Sequence, residues 1–288
     1  MSLKSKIAMF FSKIIVMFSK IQLKVFPLYF HSEKDTIDKI NSGASVCRFG
    51  DGEINIILKK HGIDFQPYND ELSVRLKDVL SIDMGVENDL CIAIVPLMGH
   101  YDGYSDRWIT FWSIYNLSKR NKIYKILKKD SLYYDALFAR MYGLKKYTNE
   151  DLQNKISRIR SIWHNKITMI IEGHQTKFGV NNDMLYNAKC IRRILIPDTD
   201  AWSSYNKIYI SAVEEINNND IEIILIIAGP TATVLAYDLY KIGVQALDIG
   251  QINESYFDAL IELFGKEKYL DHIISEDEYK KQIVRIID

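Results

Sequence analysis

Six short apolar runs, separated by stretches of helical periodicity, constrain the fold of this chain more than any other feature of its sequence. The runs occupy residues 45–49, 90–95, 167–171, 191–196, 221–228 and 245–249. They are apolar throughout rather than alternating, which is typical of strands that are covered by helices on both faces of a sheet. Strands that alternate with helices indicate parallel βαβ units. The sequence therefore predicts an α/β fold with a doubly wound, mostly parallel sheet.

Composition narrows the class of protein further. The region 31–288 is predicted to form a single domain, because no linker rich in proline, glycine or serine interrupts it. The chain has 37 basic and 37 acidic residues, and this balance argues against a nucleic-acid partner. Its three cysteines, Cys47, Cys91 and Cys190, form no CxxC pair, which favours a reducing, cytoplasmic location.

Residues 1–30 are predicted to form a basic amphipathic helix ahead of this domain. The segment has five lysines and no acid, and Ser-Lys pairs that recur every seven residues predict one polar stripe. Lys13 and Lys20 interrupt the apolar sequence too often for a membrane span, and Pro27 is expected to end the helix. Two interpretations remain. Residues 1–26 contact the inner face of an anionic membrane, or they pack on the body or on a second copy in a homodimer.

A pair of carboxylates flanked by glycines follows the first apolar run, in the sequence Gly50-Asp51-Gly52-Glu53. Two carboxylates one residue apart can direct their oxygens at one hard divalent cation, such as Mg²⁺ or Mn²⁺. The same residues also fit an ordinary turn, with Glu53 in the first turn of the next helix, where an acid interacts favourably with the helix dipole. Spacing alone favours the turn and helix start over a metal site, because an Asp-x-Glu sequence is common.

A second candidate binding loop, Gly229-Pro230-Thr231-Ala232-Thr233, follows the most apolar run and opens a helix. Free backbone amides at a helix start, with two hydroxyls nearby, suit a pyrophosphate. Thr231 is equally suited to cap the helix. Tyr101 and Tyr104 are candidates for stacking on a sugar ring. A stripe of aromatic residues at helical spacing instead indicates core packing, at Trp108, Phe111, Trp112 and Tyr115.

Four longer motifs occur in order along the chain. They are RFGDGE at 48–53, EGHQTKFGVNNDML at 172–185, IPDTDAW at 196–202 and GPTATVLAYDLYKIGVQALDIG at 229–250. Together they resemble the GT-D-type glycosyltransferases of bacteria, a family long catalogued as a domain of unknown function. Members occur in loci for surface polysaccharides and for the glycosylation of adhesins. The resemblance extends over roughly residues 33 to 265.

The resemblance implies a Rossmann-like sheet, a UDP-sugar donor and a divalent metal, Mn²⁺ or Mg²⁺, held by Asp51 and Glu53. The implied reaction moves a hexose to a saccharide acceptor, which in bacteria is often lipid-linked, in the synthesis of surface polysaccharides or glycoprotein glycans. Asp248 and Glu254, and behind them Glu172, are candidates for the carboxylate that deprotonates the acceptor hydroxyl. The residues expected to bind the nucleotide-sugar are Arg48, Gly50, Gly52, Lys177, Asn182, Asp183, Gly229, Thr231 and Thr233.

The chain departs from the family pattern at several positions. Thr176-Lys177 stands where Ser-Arg is common, and Gln251 and Asn253 stand in place of the usual histidine and aspartate. The loss of that imidazole and that carboxylate supports a second hypothesis, a nucleotide-sugar-binding module with little or no turnover. A metal-dependent phosphohydrolase is a third hypothesis, which the lack of histidine and acid clusters in the sequence disfavours.

Overall fold

A computed structural model describes residues 3–85, 88–141, 143–145, 147–264 and 274–288. Over these residues, nine strands form one sheet in the order β1-β4-β3-β2-β8-β7-β5-β6-β9, and all neighbouring strands are parallel. The strands are β1 (Tyr29–Phe30), β2 (Ser45–Phe49), β3 (Leu90–Ile94), β4 (Leu132–Asp135), β5 (Ile167–Gly173), β6 (Cys190–Ile196), β7 (Ile223–Ile227), β8 (Gln245–Asp248) and β9 (Ile283–Ile286).

Ten α-helices connect the strands within the described part of the chain. They are α1 (Leu3–Val25), α2 (Glu33–Asn41), α3 (Asp51–Lys59), α4 (Asp70–Leu80), α5 (Asp106–Ile126), α6 (Asn149–Arg160), α7 (Tyr205–Asn218), α8 (Pro230–Lys241), α9 (Ile252–Phe264) and α10 (Glu276–Gln282). Every residue of β3 is buried, although successive side chains of a strand point to opposite faces, so both faces of the sheet are covered there. The predicted α/β fold, with its parallel sheet and N-terminal helix, is confirmed.

The six apolar runs coincide with β2, β3 and β5 to β8, whereas the sequence does not predict the three outer strands. β1 has two residues, β4 contains Asp135 and β9 contains Arg285, so none of the three is a continuous apolar run. α1 ends at Val25, just before Pro27, as predicted. The helix after β2 begins at Asp51, which places Glu53 in its first turn, as the helix-start interpretation expects.

The strand order creates a crevice between β2 and β8 in the middle of the sheet. The chain leaves β2 toward β3 on one side, and it leaves β8 toward β9 at the far edge on the other side. Neighbouring strands whose connections diverge in this way open a space beyond their carboxyl ends, which is where open α/β sheets bind ligands. This arrangement brings the loops after β2 and β8 together.

α1 packs along α5, and the hydroxyls of Ser12 and Ser19 make polar contacts with the body of the protein. The hydroxyl oxygens of Ser12 and Thr110 are 2.9 Å apart, and those of Ser19 and Tyr101 are 2.5 Å apart. Lys13 is exposed beside Ser12, so the prediction of a shared Ser-Lys polar stripe is wrong. None of the described helices combines the length and the hydropathy needed to cross a bilayer.

A completely buried ion pair joins β5 to β6 inside the core. Nη1 of Arg193 lies 2.5 Å from Oε1 of Glu172, and both side chains have no solvent exposure. The second carboxylate oxygen of Glu172 accepts the backbone N–H of Phe178 at 2.7 Å. Burial raises the pKa of Glu172, and the Arg193 charge opposes that rise. Both oxygens of this candidate base are therefore engaged within the protein.

Replacing Arg193 with methionine should destabilise the protein by about 3–5 kcal/mol, because it leaves the Glu172 carboxylate buried without its partner charge. Urea unfolding monitored by circular dichroism measures this loss. The matched control is Arg285→Met, which breaks an ion pair with Glu214 in which both side chains are about half exposed. The control should lose less than about 1 kcal/mol. Equal losses in the two variants would contradict a structural role for the buried pair.

Candidate active site

A cavity of about 850 Å³ lies over the carboxyl ends of the strands, at the crevice between β2 and β8. Its walls come from the ends of seven strands, β2 to β8, and from the first turns of α5. Predicted site residues that line the cavity are Arg48, Gly50, Asp51, Gly52, Glu53, Gly229 and Asp248. The strand order therefore places residues that are distant in sequence at one edge of the sheet. Arg48 and Asp248, for example, are 200 positions apart.

The carboxylate pair lies in the first turn of α3, where it forms part of the cavity wall. Gly50 is the N-cap of this helix, and its N–H donates to Oε2 of Glu53 at 2.7 Å. The helix-start interpretation of these residues is therefore correct, and it places both carboxylates at the cavity. No described residue donates a hydrogen bond to the carboxylate of Asp51, which is only partly buried.

The ionisation of Glu53 is disturbed by its surroundings in the cavity wall. Burial, followed by the nearby charge of Asp248, raises the pKa of Glu53 to about 7. A positive charge placed beside it would restore the ionised form. Within the described ranges, no group of three histidine, cysteine or acidic side chains could hold a metal ion by itself. A cation at this wall would need further ligands from a bound molecule.

Asp248, at the end of β8, is held by three groups on the cavity floor. Its Oδ1 accepts the N–H of Gly250 at 3.1 Å and lies 3.4 Å from Nε of Arg48, while its Oδ2 lies 3.2 Å from the Thr233 hydroxyl. Burial raises the pKa of Asp248, and the charge of Arg48 opposes the rise. Gly250 has φ +51°, and a Cβ at this position would overlap the Arg48 guanidinium.

The hydroxyls of the second candidate loop bind the protein itself. Thr231 donates to Oε1 of Gln66 at 3.3 Å, and Thr233 lies 2.8 Å from the carbonyl oxygen of Arg48. Both threonine side chains are fully buried. In this structure these hydroxyls connect α8 to Gln66 and to the end of β2. The part of the loop that reaches the cavity is the backbone around Gly229, whose φ of +54° favours glycine.

Gln66 is a buried residue that the sequence analysis missed. Its Nε2 donates to the Asp200 carboxylate at 2.8 Å, and its Oε1 accepts the N–H of Trp202 at 3.3 Å as well as the Thr231 hydroxyl. One side chain therefore connects the loop before α4, the loop after β6 and the start of α8. A lone glutamine between two apolar segments carries no sequence signal for such a role.

The cavity also contains cationic and aromatic side chains that the sequence analysis did not assign to it. Arg107 and Arg140 join Arg48 on its wall, and Gln251 accepts a hydrogen bond from Arg140. From the aromatic helix α5, the side chains that line the cavity are Trp108, Phe111 and Trp112. The core packing predicted for this aromatic stripe is correct for Trp112 and Tyr115, which are buried, whereas Phe111 is 45% exposed. Tyr101 and Tyr104, which were expected at a sugar ring, are buried and do not line the cavity.

Five further predicted site residues do not line the cavity, namely Glu172, Lys177, Asn182, Asp183 and Glu254. Lys177 lies 2.9 Å from Glu276 of α10. Asp183 is 2.5 Å from Arg160, at a separate cavity of about 410 Å³. Asn182 is buried, and its Oδ1 accepts the N–H of Met184. Glu254 is exposed on the first turn of α9.

Comparison with known sequences identifies the family to which this chain is similar. Residues 46–269 match the family model described as glycosyltransferase GT-D fold. The chain is 32% identical over 223 residues to a probable glycosyl transferase, Gly, of Streptococcus gordonii, which covers 75% of this chain and 31% of that protein. It is 31% identical over 229 residues to the glycosyltransferase GlyD of Streptococcus pneumoniae serotype 4, covering 77% of this chain and 26% of GlyD. The chain thus spans under a third of either relative's length.

Solved structures show the same relationship in three dimensions. A glycosyltransferase of the domain of unknown function 1792 from Streptococcus sanguinis superposes with a TM-score of 0.80 at 27% identity, over 91% of this chain and 100% of that one. A second structure of this domain, described as having a distinct glycosyltransferase fold, gives 0.81 at 25% identity, over 95% and 100%. On the sequence match and the shared architecture, the chain belongs to the glycosyltransferase family with the GT-D fold.

Proposed function

We propose that this chain is a metal-dependent glycosyltransferase that moves a hexose from a UDP-sugar to a saccharide hydroxyl. The observation that carries the proposal is the cavity at the β2–β8 crevice, in which the Asp51 and Glu53 carboxylates lie beside Arg48 and Asp248. The names of the relatives support glycosyl transfer as the reaction class. The acceptor belongs to a surface polysaccharide or a glycoprotein glycan, and the donor is bound on the cytoplasmic side.

The donor diphosphate is bound by positive charge on the cavity wall. α3 and α8 both begin at this wall, so the positive ends of two helix dipoles face the cavity. Arg48, Arg107 and Arg140 add three guanidinium groups, which suit phosphate oxygens. A Cβ at Gly229 would come within 2.5 Å of the Phe65 ring, so glycine lets this ring pack directly on the backbone at the start of α8.

A divalent cation, Mn²⁺ or Mg²⁺, fits the donor set of Asp51 and Glu53. Both are hard carboxylate ligands, the Asp51 carboxylate accepts no hydrogen bond from any described residue, and a cation would favour the ionised form of Glu53. When bound, the cation supplies charge neutralisation for the diphosphate leaving group. The chain's own contribution is to position these two ligands on the rigid first turn of α3.

Asp248 is the general base of the proposed reaction. Of the three carboxylates considered, Asp248 is the one that lines the cavity, whereas Glu172 and Glu254 lie outside its lining. Burial raises the pKa of Asp248, which is the direction that proton abstraction near neutral pH requires. Trp108 and Phe111 offer aromatic surfaces for the apolar face of the acceptor sugar.

Incubation with Mn²⁺ and a panel of nucleotide-sugars tests the proposal against its rivals. The expected result is slow release of UDP from one UDP-sugar by the wild type, and tight UDP binding with little release by Asp248→Asn. Binding without release by the wild type would instead identify a nucleotide-sugar-binding module. Release of inorganic phosphate would identify a phosphohydrolase. Loss of UDP binding in Asp248→Asn would make this residue a ligand anchor rather than a base.

Asp51→Asn and Glu53→Gln should each weaken Mn²⁺-dependent UDP binding at least tenfold, because each removes a charged oxygen ligand from the cation. Isothermal titration calorimetry with UDP, in the presence and absence of Mn²⁺, measures the change. Asp64→Asn is the matched control, since Asp64 is an exposed aspartate on the wall of the same cavity outside the pair. If both site variants bind UDP like the control, the pair does not hold a metal.

Glu53→Gln should also stabilise the metal-free protein at pH 8 relative to wild type, by about 1–3 kcal/mol, but not at pH 4.5. The pKa of Glu53 is about 7 in the folded protein and 4.5 for the free side chain. The contribution of Glu53 to the free energy of unfolding of the wild type is therefore fully present below pH 4.5 and is lost as the pH rises to about 7. Thermal unfolding in EDTA at both pH values measures the difference. A constant difference between variant and wild type would show that Glu53 titrates normally.

A further inference from the structure

The outer surface of α1 and α5 is apolar and basic, although the inner surface of α1 is packed against the protein. Ser12, Ser19 and Leu23 lie on the packed side of α1, toward α5 and the core. The opposite side exposes large apolar residues at helical spacing, namely Phe10, Phe11, Met17, Phe18, Ile21 and Val25, each more than half exposed. Packing on the body therefore accounts for one face of this helix and not for the other.

α5 extends this apolar surface. Ile114 and Leu117 follow Thr110 by four and seven residues, so they lie on the strip of α5 that adjoins α1 through the Ser12 contact. Ile114 is 53% exposed and Leu117 is 39% exposed. We name the exposed apolar residues of both helices the α1–α5 face. Exposed apolar surface of this extent marks an interaction site for another protein or for a membrane.

The charges beside the α1–α5 face select its partner. Lys13, Lys20 and Lys24 are exposed along one flank of the apolar strip of α1, and Lys122 and Lys125 are exposed on α5. Residues 10–25 include no acidic side chain that could pair with lysines of a second copy. A wide apolar strip with a lysine flank is complementary to an anionic lipid surface, in which apolar side chains enter the acyl boundary and lysines remain at the headgroups.

We propose that the α1–α5 face docks reversibly on an anionic membrane and holds the mouth of the cavity at the lipid surface. Phe111 connects the two sites, since it lines the cavity and is also 45% exposed on α5. Docking through this face would bring the cavity to a saccharide carried on a lipid. That consequence for the acceptor rests on the proposed glycosyltransferase function, whereas docking itself does not.

The test measures co-sedimentation of the full chain with two kinds of vesicle, one of phosphatidylcholine alone and one that also contains about 30 mol% phosphatidylglycerol. Each is measured at low and at high salt. The wild type should bind the anionic vesicles at low salt and be released by about 0.5 M salt. Lys13→Gln/Lys20→Gln/Lys24→Gln should lower the affinity about tenfold or more. The charge-matched control changes three exposed lysines outside the face to glutamine, at Lys34, Lys77 and Lys207, and should bind like the wild type.

A second variant tests the apolar part of the face. Phe10→Ser/Phe18→Ser/Ile21→Ser should abolish vesicle binding, whereas serine at exposed apolar positions elsewhere, Val74, Ile210 and Ile242, should not. All variants should keep the melting temperature and the UDP affinity of the wild type, since none of these residues lines the cavity. Vesicle binding by a chain that releases no UDP from any donor would support docking while refuting the proposed enzyme activity.

Three results would overturn the proposal. One is a wild type that fails to bind anionic vesicles at low salt, and another is a lysine variant that binds as tightly as its control. The third is a dimer, detected by light scattering, that the Phe10→Ser/Phe18→Ser/Ile21→Ser variant converts to a monomer while vesicle binding is absent. In that case the α1–α5 face is an interface between two copies of the chain.

Discussion

Side-chain hydrogen bonds at the junction of β2 and β8 hold the two halves of the sheet together. The backbone register between these strands is a single residue pair, Val46 with Leu247, whereas β5 and β6 pair along seven residues. At the carboxyl end of the junction, Thr233 lies between the Arg48 carbonyl and Asp248. At the other end, the Gln245 amide donates to the carbonyl of Ala44 at 3.0 Å. The side-chain contacts at the carboxyl end, which take the place of backbone hydrogen bonds between β2 and β8, therefore form the floor of the cavity.

The same junction explains why acidic groups are crowded at the cavity. Asp248 is held at the junction by the Thr233 hydroxyl and the N–H of Gly250, and Glu53 is held by the N–H of Gly50, the N-cap of α3. Each carboxylate has a structural partner, yet burial, followed by the negative charge of Asp248, raises the pKa of Glu53 to about 7. A site of this kind is preorganised for positive charge, because the fold has already incurred the unfavourable free energy of bringing the two acids together.

Local sequence patterns predicted the central sheet and the helix start that carries the carboxylate pair, because both depend on neighbouring residues. The apolar runs identify the buried strands, and Glu53 reaches the N–H of Gly50 only three positions away. The roles of the threonines could not be predicted in this way, because the partner of Thr231 is Gln66, 165 positions distant in sequence. The expected position of Tyr101 at a bound sugar was wrong for a similar reason. Tyr101 is covered by Ser19 of α1, and that contact depends on how two helices pack.

The amide of Gln66 has a consequence for how the cavity recognises a ligand. Its bonds to Asp200, Trp202 and Thr231 immobilise the loop that carries Phe65 before any ligand arrives. The conformational entropy of ordering that loop is therefore lost during folding rather than during binding. A ligand meets a rim whose contacts are already formed, so selectivity among ligands of similar polarity is set by steric complementarity and not by closure of the rim around each of them.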